Sequence, residues 1–137
     1  MAKDLFHDAV KRALEKDGWE ITDDPLEIKY KKVKLYIDLG AEKFLEAQKG
    51  NKKIAVEIKS FLGHSVINEF NSALGQYLGY LKIIRRIEPE RALYLAIPNE
   101  VEKLIKDNDY FQELISDYGL KIIVYDPQQE SILSWIN

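Results

Sequence analysis

From Ile54 to Ser60 the chain reads Ile-Ala-Val-Glu-Ile-Lys-Ser, with branched apolar residues at alternate positions and Glu57 and Lys59 between them. Successive side chains of a strand point to opposite faces, so Ile54, Val56 and Ile58 line one face and Ala55, Glu57 and Lys59 the other. If this strand is central, the charged face also meets protein or a cleft, where an uncompensated carboxylate is costly. The simplest compensation is a Glu57–Lys59 ion pair on a half-exposed face, a purely structural arrangement. A neighbouring segment offers a second one.

Val33, Leu35, Ile37 and Leu39 alternate with Lys34, Tyr36 and Asp38, which predicts another strand with Asp38 near its end. A hairpin-like connection would lay it beside Ile54–Ser60 and bring Asp38 to Glu57. Two carboxylates sharing a pocket repel, and the pKa of one rises unless a cation lies between them. Mg²⁺ or Mn²⁺ suits such a place, because a hard divalent ion takes carboxylate oxygens and keeps several waters. Lys59 then reaches the same space as a cation able to stabilise charge on a phosphate or to orient a water.

The remaining elements follow from periodicity. Ala2–Lys16 carries Leu5, Phe6, Ala9, Val10, Ala13 and Leu14 at helical spacing, with Gly18 as the stop. Trp19 to Lys34 reads as short extended pieces that could pair as a hairpin across Asp23-Asp24-Pro25. Ala41–Lys53 reads as a short polar helix or loop. Ser65 caps a helix running to about Arg86, and its Gly75 and Gly79, four apart, predict the close approach of another backbone. Arg91–Ile97 is a buried strand, since Ala92 to Ala96 show no polar alternation. Pro98 opens a helical region that breaks near residues 107–109 and closes at Gly119. Strands at Leu120–Tyr125 and Ser131–Ile136 flank a turn at Asp126 to Gln129. The order predicts a single domain over residues 1–137, an α/β chain with a mixed α+β sheet and helices on its faces.

The 137 residues carry a net charge of −3, divided as +2 over residues 1–91 and −5 over 92–137. A chain with that balance does not coat nucleic acid through net charge, so any phosphate-binding surface is local. The basic bunches are Lys29 to Lys34, Lys49 to Lys53 and Lys82 to Arg91. On charge alone they read as solvated strand edges and a helix end. If they converge, Lys31, Lys32, Lys53 and Arg85 are the residues expected to grip DNA. The absence of cysteine excludes thiolate chemistry and disulfides and suits a reducing compartment. The apolar runs are too short to span a bilayer and Met1 to Asp8 lacks a signal-peptide pattern, so the expectation is a cytoplasmic protein with no membrane partner.

The acid, then acid-x-Lys set of Asp38, Glu57 and Lys59 resembles the PD-(D/E)XK nuclease superfamily. Its members share a restriction-endonuclease-like core of helix, three-strand meander, helix and strand; here a further helix and a C-terminal hairpin are added. Ile37 stands where the superfamily name has Pro. Gln76, Tyr77 and Tyr80 are similar to the Q-h-x-x-Y element of RecB-like nucleases, which implies that Gln76, and Tyr80 as an accessory, contribute to the site. The resemblance also implies an acid from the first helix, at Asp8 or at His7. It implies ligation of Mg²⁺ or Mn²⁺ by Asp38, Glu57 and the carbonyl of Ile58. Outside that set, His7 and His64 read as structural residues.

Over nearly its whole length the chain resembles the XisH family, the fdxN element excision controlling factors. The stretches that carry the resemblance are Phe6-His7-Asp8-Ala9-Val10, Asp17-Gly18-Trp19, Asp38-Leu39-Gly40-Ala41-Glu42, Ile54 to Phe61 and Ala73-Leu74-Gly75-Gln76-Tyr77. It implies a role in excising a DNA element during heterocyst differentiation in cyanobacteria, beside a site-specific recombinase and an XisI-like partner. Two readings follow: a metal-dependent endonuclease acting on DNA phosphodiesters, or a non-cutting accessory factor that holds DNA or protein. A homodimer would suit cutting of both strands of a duplex.

Overall fold

A computed structural model describes residues 2–45, 50–63 and 65–137. The elements are α1 (Ala2–Lys16), β1 (Glu20–Asp23), β2 (Leu26–Tyr30), β3 (Val33–Ile37), β4 (Leu39–Leu45), β5 (Gly50–Ile58), α2 (Val66–Ile87), β6 (Ala92–Pro98), α3 (Asn99–Lys106), α4 (Asp109–Tyr118), β7 (Ile122–Asp126) and β8 (Ser131–Ile136). Six strands form one mixed sheet in the order β1-β4-β5-β6-β7-β8, and β2-β3 form a separate hairpin. The fold is thus mixed α+β, with four helices among the described residues.

Two cores sandwich the sheet. Ala55, Leu93, Leu95, Ile97, Ile122 and Val124 face a core built with α2, α3, α4 and the β2-β3 hairpin. Ile54, Val56, Tyr94, Ala96, Ile123 and Tyr125 face the other, built with Val10 and Leu14 of α1 and with Trp19. β6 is buried on both faces, which is why its sequence shows no alternation.

Several expectations are corrected. The strand read through residues 33–39 is two strands in different sheets: Ile37 packs in the α2 core and Leu39 in the α1 core. In a continuous strand residues two apart share a face, so the backbone must turn over between them, and it does so at Asp38. The hairpin expected across Asp23-Asp24-Pro25 does not form, because β1 pairs with β4 and β2 with β3. The helix or loop expected at Ala41–Lys53 is instead the end of β4 and the start of β5; residues 46–49 within it lie outside the described residues. Among the described residues no backbone approaches Gly75 or Gly79, since a Cβ at either would meet nothing within 4 Å. The break after Lys106 and the left-handed Gly119 that closes α4 are as expected.

Candidate functional site

β4 and β5 are antiparallel with Leu39 opposite Val56, so the next residues outward, Asp38 and Glu57, come together at the end of the ladder. The amide of Asp38 donates to Glu57 Oε1 at 3.3 Å, and the amide of Ile58 donates to Asp38 Oδ2 at 2.7 Å. The two carboxylates therefore replace missing rungs of the ladder. Within a strand the N–H and C=O of one residue point to the same edge, so the carbonyl of Ile58 also faces the Asp38 side.

The parallel partner β6 stops at the same level. Lys59 N–H donates to Ala96 O at 3.0 Å. The next rung would need an N–H from Pro98, which has none. β5 and β6 part here, and Ile58 and Lys59, at the carboxyl end of β5, line a crevice whose other walls come from α1, Asp38 and the start of α2.

α2 supplies the other wall. Ser65 caps it by accepting from Asn68 N at 3.2 Å. Gln76 and Tyr80, one turn apart, both reach the site. Lys59 Nζ donates to Gln76 Oε1 at 2.5 Å and lies 3.8 Å from Glu57 Oε2. Tyr80 donates its hydroxyl to the same Glu57 oxygen at 3.4 Å. Glu57 is 8% exposed. Burial, and next the charge of Asp38, push its carboxyl up to about 7 against the opposing pull of Lys59. Burial and the Glu57 charge likewise push the Tyr80 phenol up to about 12.

A cavity of about 250 Å³ lies beside this cluster, lined by Asp38, Ile58 and Lys59 and by Phe6, His7 and Glu69 among others, while Glu57, Gln76 and Tyr80 stand behind Asp38 and Lys59 and do not line it. Of the two first-helix residues, His7 faces it and Asp8 does not. His7 Nε2 is 2.7 Å from Asp24 Oδ1, and Lys11 Nζ donates to Asp24 Oδ2 at 2.9 Å. Burial raises the Asp24 carboxyl, but the hydrogen bonds from Lys11 and His7 outweigh it and leave the pKa below the ordinary range. Phe61, on the cavity rim, holds a left-handed backbone at φ 56°, a strained conformation for an aromatic residue.

Sequence reasoning missed Glu69 and Asp24. Glu69 sits in the first turn of α2 and accepts from Gly63 N at 3.1 Å. An acid there is also what the helix dipole favours, so its sequence signal is ambiguous. His64 lies outside the described residues.

The four residues expected to grip DNA do not line this cavity. Lys31 and Lys32 form the β2-β3 turn, with Lys31 Nζ 5.2 Å from the centre of the Tyr30 ring. Lys53 lies 3.9 Å from Glu42, and Arg85 lines a separate cavity at the other end of α2 with Arg91 and Lys121.

Among the described residues no group of three or more His, Asp or Glu side chains is placed to hold a metal ion. The donor set is smaller: two carboxylates and a strand carbonyl. It fits a hard divalent ion that keeps waters. Each carboxylate oxygen retains a lone pair beyond its backbone hydrogen bond, and the burdened Glu57 charge is what a cation would relieve.

Fold and site together define a mixed-sheet α+β protein with paired carboxylates and a lysine at the carboxyl end of a central strand. The XisH protein family model matches residues 1–133, and the chain belongs to the XisH family. Two solved structures are similar. An XisH family protein from Nostoc punctiforme PCC 73102 is 47% identical over 98% of this chain and 100% of that one, with a TM-score of 0.89. An fdxN element excision controlling factor protein from Anabaena variabilis is 47% identical over 98% of this chain and 99% of that one, with a TM-score of 0.88. No curated protein matches. No helix among the described residues is long and apolar enough to cross a membrane.

Proposed function

We propose that this chain acts in the excision of a DNA element as a divalent-metal-dependent phosphodiesterase of the PD-(D/E)XK type. The observation that carries the reading is the contact network of Asp38, Glu57, Lys59 and Gln76, of which Asp38 and Lys59 line the crevice, with Glu57 driven up to about 7 by burial and by Asp38. The element order supports it: α1, then antiparallel β1, β4 and β5 with the β2-β3 hairpin inserted, then α2, then β6 parallel to β5.

Asp38, Glu57 and the carbonyl of Ile58 would hold Mg²⁺ or Mn²⁺. A bound divalent ion neutralises phosphate charge and lowers the pKa of a water. The residues of the chain do the rest. Gln76 fixes the Lys59 ammonium above the crevice, where it meets charge developing on phosphate or steers the attacking water. Tyr80 and the Asp38 amide hold the Glu57 carboxylate in place. His7, anchored by Asp24, closes the side of the crevice towards α1 and offers a hydrogen bond to a phosphate oxygen.

The test is incubation of plasmid, linear and branched DNA with purified protein and Mn²⁺, beside a Glu57→Ala control. Cleavage by the wild type that falls at least about 100-fold in the control supports the reading. Equal cleavage by both points to contamination.

No cleavage by either supports a second reading, a non-cutting accessory factor that holds DNA or a protein, alongside an XisI-like protein and a recombinase. It is favoured by one observation: Lys59 is the only Lys or Arg among the described residues that lines the crevice.

A further inference from the structure

On the sheet face opposite to Glu57, beside the carboxyl end of α1, lies another cavity, of about 370 Å³. Trp19, Tyr94 and Trp135 form its floor. The two indole rings are 5.8 Å apart between centroids, and Tyr94 meets Trp135 edge-on at 5.0 Å. Trp19 and Tyr94 are buried, while Trp135 is only half-buried, so it is the ring presented to a ligand.

Lys43 and Lys52 stand at the rim. They are direct cross-strand partners in the β4-β5 ladder. Like charges placed opposite one another on one sheet face repel. Neither lysine meets a carboxylate within ion-pair distance among the described residues. Lys43 Nζ donates to Asp17 O at 2.7 Å and lies 5.8 Å from the centre of the Trp19 ring. The Asp17 carboxylate, which also lines the cavity, accepts from Trp19 Nε1 at 3.2 Å. An anion between the two ammonium groups would relieve their repulsion, and a flat apolar group is what the exposed part of the half-buried Trp135 indole would take. A nucleotide joins both chemistries in one molecule.

We propose that this cavity binds one nucleotide of a single-stranded nucleic acid, with its base stacked on Trp135 and its phosphate held between Lys43 and Lys52. A base pair inside a duplex has both faces already stacked and cannot enter. Stacking on an aromatic ring beside a basic rim is how single strands are held without regard to sequence. Lys52 lies five residues from Glu57, roughly 16 Å along β5, and on the other face. Binding here therefore needs neither the metal nor the phosphodiesterase reading.

Both tryptophans of the chain line this cavity, so intrinsic fluorescence reads it directly. A short oligothymidylate, titrated in the presence of EDTA, is expected to quench the emission saturably, and a duplex of the same length is not. Trp135→Leu should weaken binding about tenfold. Lys52→Glu should weaken it, flatten the slope of log affinity against log salt by about 0.7, and raise the thermal midpoint of the free protein. Opposite movements of affinity and stability are not what a merely structural lysine would give. Glu57→Gln should quench like the wild type. Absence of quenching, equal quenching by the duplex, wild-type affinity in Lys52→Glu, or loss of binding in Glu57→Gln would each overturn the proposal.

Discussion

The Glu57 carboxyl is buried at the end of a ladder, hydrogen-bonded to the Asp38 amide and faced by the Asp38 charge. Its pKa is raised in the folded chain from an ordinary 4.5 to about 7, so the fold binds that proton more tightly than the unfolded chain does. The stability this contributes is complete below about pH 4.5 and is lost as the pH rises through 7. In urea denaturation without metal, the wild type should lose up to about 3 kcal/mol across that window, and Glu57→Gln should lose much less. Lys59 is the cation that limits the shift. Lys59→Met should therefore move the Glu57 titration still higher, read by carbon NMR of the side-chain carboxyl.

At the scale of elements, Tyr77 ties three of them together. From α2 its hydroxyl donates to Leu93 O of β6 at 2.9 Å and accepts from Lys121 N, just before β7, at 3.3 Å. Tyr77→Phe should cost about 1–2 kcal/mol of unfolding free energy by leaving those two backbone groups unpaired. Gly75 and Gly79 behave in the opposite way. Both are exposed on α2 with open space where a Cβ would lie, so changing each to Ala should add roughly 0.4–1 kcal/mol and raise the thermal midpoint.

Elements whose pattern answers to a single local rule were legible in the sequence: α1, the Ser65-capped α2, the doubly buried β6, the α3–α4 break and β8. Residues 33–45 were not. Ile37 and Leu39 obey strand periodicity but face different cores, and only the assembled sheet decides that. Glu42, Lys43 and Phe44 read as helix or loop. Pairing with β5, and at Glu42 with β1 as well, makes them a strand. The candidate site was legible as far as Glu57, Lys59 and Asp38, because charges inside an apolar alternation demand partners. Glu69 and Asp24 were hidden because acids at a helix start and in a turn are ordinary there.

At the scale of the whole molecule, the candidate crevice lies at the carboxyl end of β5, between α1 and the start of α2, while the predicted DNA contacts are scattered. Lys32 precedes Asp38 by six residues of largely extended chain, about 20 Å. A duplex seated on the crevice must reach that far to touch the β2-β3 turn. Charge reversal at Lys31 and Lys32 should lower duplex affinity and flatten its salt dependence if it does, and filter binding across a salt series measures both.

Whether Asp38 and Glu57 act as one divalent-cation site is read most directly by calorimetric titration with Mn²⁺. The wild type should take up the ion with proton release that fades as the pH is raised above 7, and Asp38→Asn should bind at least about tenfold more weakly. No heat of binding, or an Asp38→Asn titration that matches the wild type, would contradict it.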